Sequence, residues 1–413
     1  MCPVLAAAQT GEHADSMKFH NRKRPRGGPV RVLHVYKTYF PDTWGGLEQA
    51  ILQICRSTAA LGAENTIFTL SHDPSPGHIE RAEADVYRYP ISADFASCPV
   101  SARAFLAFRR HVAKTDVVHY HFPWPFADIL DMLRPRHIPA VITYHSDIVR
   151  QRALLRFYRP LMRYFLGAAE KVVATSANYL RSSEELQRLK CRVEVIPFGL
   201  DEASYPGADP ARLDHWRAVY GDRFFLFIGV LRYYKGLHIL LNAARGAGYK
   251  ILIIGAGPTE RELKGLAAEL ALDNVEFLGF LPETDKVALL KLCRGVVFPS
   301  HLRSEAFGIS LLEAAMFGKP MVSSEIGTGT SFVNIDGVTG IVAPPNDPAS
   351  LREAMDRIQA DDVLAEDMGR AARLRYERLF TAEKMGRRYL ELYKGLLGWA
   401  PKDLTETWPG TIG

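Results

Sequence analysis

Short apolar runs separated by helical patterns recur along the chain in two series, and this alternation limits the fold more than any other feature. The first series has β-rich runs at residues 30–36, 65–70, 86–89, 117–120, 140–144 and 171–175. The second has them at 224–229, 250–255, 275–278, 295–299, 320–323 and 340–343. Runs this apolar, spaced by helices, read as parallel strands covered on both faces. The pattern pauses at 193–199, and a polar, Pro-containing stretch over 201–209 follows. The expected architecture is therefore α/β, with two doubly wound Rossmann-like domains. A basic leader covers 1–29, the first domain 30–200 and the second 201–385. The helix end and tail over 386–413 are expected to pack back on the first domain, after one long helix over roughly 364–397.

Composition agrees. A chain of 413 residues has room for two such domains, and 47% hydrophobic with 23% charged residues excludes wholesale disorder. No uncharged apolar stretch reaches the ~18 residues of a membrane span, and the first residues lack the pattern of a secretion signal. The five cysteines (Cys2, Cys55, Cys98, Cys191 and Cys293) lie far apart without a CxxC pair. That argues against a disulfide framework or a cysteine zinc site and for a cytoplasmic location. Residues 1–200 carry 26 Lys and Arg against 18 Asp and Glu, whereas 201–413 carry 25 against 28. Anions are expected to meet the first half.

Four constellations could carry chemistry. Gly45 and Gly46, beside Trp44 and before Glu48, form a strand-to-helix turn whose N–H groups can approach an anion, or simply a tight turn. Arg232 and Lys235 follow the first strand of the second series, at the strand end where ligands bind in such sheets, and suit a diphosphate. Gly255 and Gly257, in a GxGP turn, invite a dinucleotide reading. The third glycine is replaced by Glu260, while Glu276 falls where a ribose-binding acid would lie, so an NAD-dependent oxidoreductase stays open. Fourth, Glu305 precedes Phe307, Gly308 and Ile309 at a helix start, and Glu313 follows on an apolar helix, where burying it requires a partner.

Together these motifs resemble the retaining nucleotide-sugar glycosyltransferases of family 4, with their GT-B fold of two Rossmann-like domains facing a deep cleft. The resemblance runs from about Arg31 to Tyr393. It rests on the GGxE turn, Arg232 with Lys235 and Gly236, the GxGP turn, and the Glu305/Glu313 pair followed by Gly318-Lys319-Pro320. Gly327-Thr328-Gly329-Thr330-Ser331-Phe332-Val333-Asn334 stands where many members have a GG-plus-Glu turn. It looks like the bacterial mannosyl- and rhamnosyltransferases of O-polysaccharide and lipopolysaccharide assembly.

By that resemblance, Arg232 and Lys235 bind the donor pyrophosphate, Glu313 the ribose and Glu305 the sugar hydroxyls. Gly45, Gly46, Gly255, Gly257, Phe307, Gly308 and Ile309 complete the donor site. His145 matches a histidine that lines the reaction centre, and Trp44, His119 and His121 fall on the acceptor side. The resemblance implies a GDP-mannose or GDP-rhamnose donor, no other cofactor, a lipid-linked oligosaccharide acceptor and retention by same-face displacement. A UDP-sugar donor and a nucleotide-sugar 2-epimerase remain alternatives. His119 and His121 at i, i+2 suggest a metal, but no third ligand is evident and no DxD-type motif stands at the donor site, so no metal is expected. Arg152, Arg156, Arg159 and Arg163 share one helical stripe, with Leu155, Tyr158, Met162 and Phe165 on another. Arg103, Arg110 and Lys114 repeat the spacing. Such helices can rest on an anionic membrane at its cytoplasmic face, or be ordinary surface helices. Nucleic acid is not an expected partner, since aromatic-basic surface modules are absent.

Overall fold

A computed structural model describes residues 28–148, 152–189 and 192–399, with the side chains of 152–155 left aside. The first half builds β1 (Arg31–Val35), β2 (Glu64–Ser71), β3 (His78–Glu80), β4 (Asp85–Pro90), a small hairpin of β5 (Ala93–Phe95) and β6 (Cys98–Val100), β7 (Val117–Phe122), β8 (Ala140–Tyr144), β9 (Lys171–Ala174) and β10 (Val193–Val195). The sheet order is β10-β9-β8-β7-β1-β2-β4-β3, parallel except for the β3–β4 edge. The second half builds β11 (Phe225–Ile228), β12 (Ile251–Ile254), β13 (Val275–Gly279), β14 (Gly295–Phe298), β15 (Met321–Ser324) and β16 (Gly340–Ala343). Its order is β13-β12-β11-β14-β15-β16, all parallel.

Each order reverses direction once, between β1 and β7 in the first sheet and between β11 and β14 in the second. A crevice opens at such a reversal, because the crossover helices leave on opposite faces. The loops after β1, β11 and β14 carry Gly45 and Gly46, Arg232 and Lys235, and Glu305. The topology thus gathers the sequence candidates from both halves. One apolar cluster runs through both, from Val32 and Ile54 by way of Phe198 to Phe307, Leu311 and Phe380.

Two expectations needed correction. The pause at 193–199 contains β10, a three-residue edge strand that pairs only with β9 and is too short to show a period. The single long helix is two, Asp362–Leu379 and Ala382–Leu396. The interruption is where the chain meets the linker between the halves. Leu200 donates its N–H to the Phe380 carbonyl (2.9 Å) and accepts from Ala382 N–H (2.9 Å), and Thr381 caps the new helix. That last helix lies against the Gly46–Ala59 helix of the first half, so closely that a Cβ at Gly386 would stand 2.7 Å from Ser57.

Candidate active site

Arg232 and Lys235 sit on a loop held from below by the GxGP turn. Leu231 N–H bonds to Ala256 O (3.0 Å), and the Thr259 hydroxyl to Leu231 O (2.8 Å). A Cβ at Gly255 (φ +130°) would lie 2.0 Å from Gly229 O, and one at Gly257 2.4 Å from Leu231 O. The two glycines therefore bring backbone onto backbone and set the height of the cationic loop. The Lys235 ammonium donates to the Glu305 carboxylate and stands 4.7 Å above the Phe298 ring. Arg232 is exposed and takes part in no ion pair among the described residues.

The helix Ile309–Met316 begins at Gly308, whose φ of +90° turns the chain from the loop carrying buried Glu305 and Phe307. Leu311 N–H already bonds to Gly308 O (3.0 Å), whereas the N–H groups of Ile309 and Ser310 make no backbone hydrogen bond among the described residues and are available to an anion. The Gly46–Ala59 helix starts opposite: the Ile309 Cδ1 lies 3.8 Å from where a Cβ on Gly46 would be. Two positive helix ends, one from each half, thus face the same space. Glu48 organises the first of them. Its Oε1 accepts from the hydroxyls of Thr38 (2.9 Å) and Thr43 (2.7 Å), and a Cβ at Gly45 would meet Oε2 at 2.6 Å. Trp44, 74% exposed, stands edge-on to Phe40 at the rim. Tyr36 joins the halves electrostatically: burial and Glu48 push its phenol up, and Arg232 across the cleft pulls it down.

Glu313 is buried and its Oε1 takes both the Tyr205 hydroxyl (2.9 Å) and the Lys286 ammonium (2.7 Å). Burial works against the charge of Lys286, but Glu313 and Glu283 overcome it and leave its pKa above the ordinary lysine value. Lys286 and Tyr205 were not legible as site residues. Lys286 lies three after Glu283, the spacing of an unremarkable surface pair, and only the fold brings it under Glu313.

The histidines depart most from expectation. His119 and His121 do not line the cleft surface. Both are wholly buried, because β7 is covered on both faces. A third imidazole is present after all, from His34, which pairs with His119 across the parallel β1–β7 register. Hydrogen bonds already engage all six ring nitrogens of this trio. His119 contacts Tyr393 and Thr143 (2.7 Å each), His34 contacts Asn65 (3.2 Å) and His121 (3.1 Å), and His121 also contacts His145 (3.0 Å). His145 is buried and stacks on Phe198 (5.7 Å), which meets Phe307 edge-on (5.2 Å) beside the Gly308 helix start. An aromatic chain so connects His145 to the second half.

Glu276, the ribose-acid candidate of the oxidoreductase reading, projects from edge strand β13 and takes the Tyr220 hydroxyl at the exterior. The 327–334 segment lies between the halves. Gly327 O accepts from Ser182 and Arg303, Ser331 from Asn178 (3.1 Å), and Arg303 pairs with Asp147 (3.1 Å). Glu325, exposed, accepts from Gly327 N–H (2.7 Å) and from the Ser331 hydroxyl (3.1 Å).

The comparisons with known proteins agree with this geometry. The family model for Glycosyltransferase Family 4 matches residues 44–204, and that for Glycosyl transferases group 1 matches 214–375. The D-rhamnosyltransferase WbpZ of Pseudomonas aeruginosa is 53% identical over 86% of this chain and 93% of its own. The chain belongs to the family 4 glycosyltransferases. The O-antigen chain mannosyltransferase C of Escherichia coli is 46% identical over 89% of this transferase and 99% of its own length. Sucrose-phosphate synthase of Thermosynechococcus elongatus, 21% identical, superposes with a TM-score of 0.73 over 89% of this chain and 99% of that one. The transferase has the GT-B fold.

The basic stripe of the transferase is partly neutralised. In the Arg152–Ala168 helix, Arg159 (3.6 Å) and Arg163 (2.9 Å) both reach Glu185, while Arg156 and the 84% exposed Phe157 face outward. Met162 and Phe165 are buried, and the Tyr158 hydroxyl bonds Asp128, so this side packs on the domain. Arg152 and Leu155 side chains lie outside the described residues, as do residues 1–27 of the basic leader and 400–413 of the tail. Arg103, Arg110 and Lys114 are exposed. Among the described residues no helix is long and apolar enough to cross a membrane.

Proposed function

We propose that this transferase moves a mannosyl or rhamnosyl group from a GDP-sugar to a lipid-linked glycan in O-polysaccharide assembly at the cytoplasmic face of the membrane, retaining the anomeric configuration and using no divalent metal. The observation that carries the reading is the convergence of Arg232, Lys235 and two facing helix starts on one cleft. Breaking the anomeric bond places negative charge on the departing diphosphate. Preorganised donors aimed at that charge lower the barrier, each by about 3 kcal/mol, or on the order of a hundredfold in rate. With this much fixed positive charge, a bridging metal has no remaining task at the diphosphate.

Glu305 holds the donor sugar hydroxyls while its partner Lys235 meets the phosphate. Glu313 offers its Oε2 to the ribose, its Oε1 being occupied. Gly45 and Gly46 present the first-half helix start to the departing diphosphate, His145 lines the reaction centre, and Trp44 stands on the acceptor side. The departing phosphate oxygen is the base for the incoming hydroxyl on the same face of the sugar. The relatives' names, D-rhamnosyltransferase and O-antigen chain mannosyltransferase, support this donor and acceptor class.

Calorimetry of the purified protein against GDP-mannose, GDP-rhamnose, GDP, UDP-glucose and NAD, with and without EDTA, tests the donor. EDTA-insensitive binding of the GDP compounds alone is expected. Preference for UDP-glucose would overturn the donor assignment, and dependence on a divalent ion the metal-free mechanism. Arg232→Ala is expected to slow transfer on the order of a hundredfold while leaving the fold intact.

A further inference from the structure

We infer that Asn65, His34 and His121 form a positioning relay that fixes His145 in a single neutral tautomer, protonated on Nε2 and bare on Nδ1. The inference rests on the assignment of His145 to the reaction centre only for its consequence in catalysis; the tautomer follows from hydrogen bonds alone.

The relay begins at Asn65, 6% exposed on β2. Its amide nitrogen donates to the backbone carbonyls of Cys55 (2.9 Å) and Glu83 (3.3 Å). A carbonyl can only accept, so the amide cannot turn over, and its Oδ1 faces His34. An oxygen acceptor there requires a proton on His34 Nε2 (3.2 Å). A neutral imidazole protonated on Nε2 has a lone pair on Nδ1, which therefore accepts from His121 Nε2 (3.1 Å). The same step repeats once more. His121 Nδ1 accepts from His145 Nε2 (3.0 Å), and His145 is left with an unprotonated Nδ1. Among the described residues that nitrogen makes no hydrogen bond. It is the one site in the relay able to accept from a substrate hydroxyl.

All three rings are neutral at ordinary pH. Burial pulls His34 down to about 4 and His145 to about 3, and burial with the neighbouring imidazoles pulls His121 well below the usual value. Every step of the argument therefore concerns a tautomer and not a charge. The direction of the whole array is set about three side chains away from the cleft, by two backbone carbonyls that hold one amide.

The test uses the full chain labelled with nitrogen-15 at histidine, read by long-range nitrogen–proton correlation spectra at pH 7.5. His34, His121 and His145 are each expected to carry the proton on Nε2; a proton on Nδ1 of His145 would overturn the relay without any variant having to fold. His34→Phe keeps a ring but removes the acceptor, and His145 is then expected to populate both tautomers. His34→Gln can donate to Asn65 Oδ1 and accept from His121, and is expected to restore the single tautomer. In transfer assays with GDP-mannose and GDP-rhamnose and membrane-extracted lipid-linked acceptor, His34→Phe should lower kcat by the fraction of His145 that leaves the Nε2-protonated tautomer, about 2-fold for equal populations. Donor KM should move little, and His34→Gln should recover most of the loss. Wild-type kcat in His34→Phe, where His145→Ala is impaired, overturns the relay. Wild-type turnover in His145→Ala overturns instead the placing of His145 at the reaction centre, and leaves the spectra to decide the tautomer.

Discussion

The carboxylate of Glu305 holds the ammonium of Lys235, 70 positions earlier in the chain, and both side chains are largely withdrawn from solvent. The residue proposed for the sugar and the residue proposed for the phosphate are thus partners before any donor arrives. Lys235→Ala removes a cation and also leaves Glu305 unpaired, close to the proposed place of the diphosphate. Its loss of donor affinity is expected to exceed that of Glu305→Gln, and the double variant should bind the GDP-sugar better than Lys235→Ala alone. Calorimetry on the four proteins of the cycle measures the coupling, which for groups in direct contact is on the order of 0.5–3 kcal/mol. Additive losses would show that the pair does not act as a unit.

A second buried pair makes a prediction about stability. Lys286 and Glu313 meet at 2.7 Å, with Tyr205 on the same carboxylate oxygen. Lys286→Met leaves a carboxylate without its counterion in a closed environment, which costs about 3–5 kcal/mol. Lys286→Met with Glu313→Gln removes both charges and is expected to regain most of that loss. Urea unfolding of the three proteins gives the comparison. Equal midpoints for the two variants would mean that the ion pair is not what holds this region.

The imidazole array sets an acid limit. In the unfolded chain these histidines take up protons below their ordinary value of about 6.5. In the folded protein His34 and His145 resist protonation until about 4 and about 3, chiefly because they are buried. A depressed imidazole pKa means that the unfolded state binds more protons as pH falls. Stability is therefore fully present above about pH 6.5 and is lost as pH drops towards 4 and then 3, by about 1.4 kcal/mol per pH unit for each such group. Unfolding midpoints at pH 8, 6 and 5 should fall steadily, with a shallower fall in His34→Gln. Invariant midpoints would contradict burial of the neutral rings.

The fold was legible because each central strand is buried on both faces and so written as an unbroken apolar run. Short elements were not: β10 has three residues, and the interruption at Phe380 and Thr381 is imposed by Leu200, far away in the chain. The gathering of Arg232, Lys235 and Glu305 could be read because the topology puts strand ends of a parallel sheet at one edge. Partners supplied by packing could not. Nothing in the local sequence says that Lys286 reaches Glu313, or that parallel register lays His34 beside His119. The burial of His119 and His121 was not legible for the same reason, since alternation shows that two residues share a face but not what covers it.

The Arg152–Ala168 helix gives the last prediction, because its partners separate two roles for its arginines. Arg159 and Arg163 share Glu185, whereas Arg156 and the exposed ring of Phe157 point outward together. A cation near an anionic surface contributes about 1 kcal/mol, and an inserted ring adds its apolar area. If the helix rests on the membrane that carries a lipid-linked acceptor, Arg156→Glu and Phe157→Ser should each reduce cosedimentation with phosphatidylglycerol vesicles several-fold. Arg163→Gln should change it less and cost stability instead, because its charge already belongs to Glu185. Higher salt should weaken the wild-type binding and the Phe157→Ser binding alike, since screening acts on the charges and not on the ring. Equal cosedimentation of Arg156→Glu and wild type would remove this helix from the membrane contact and leave the stripe as ordinary domain surface.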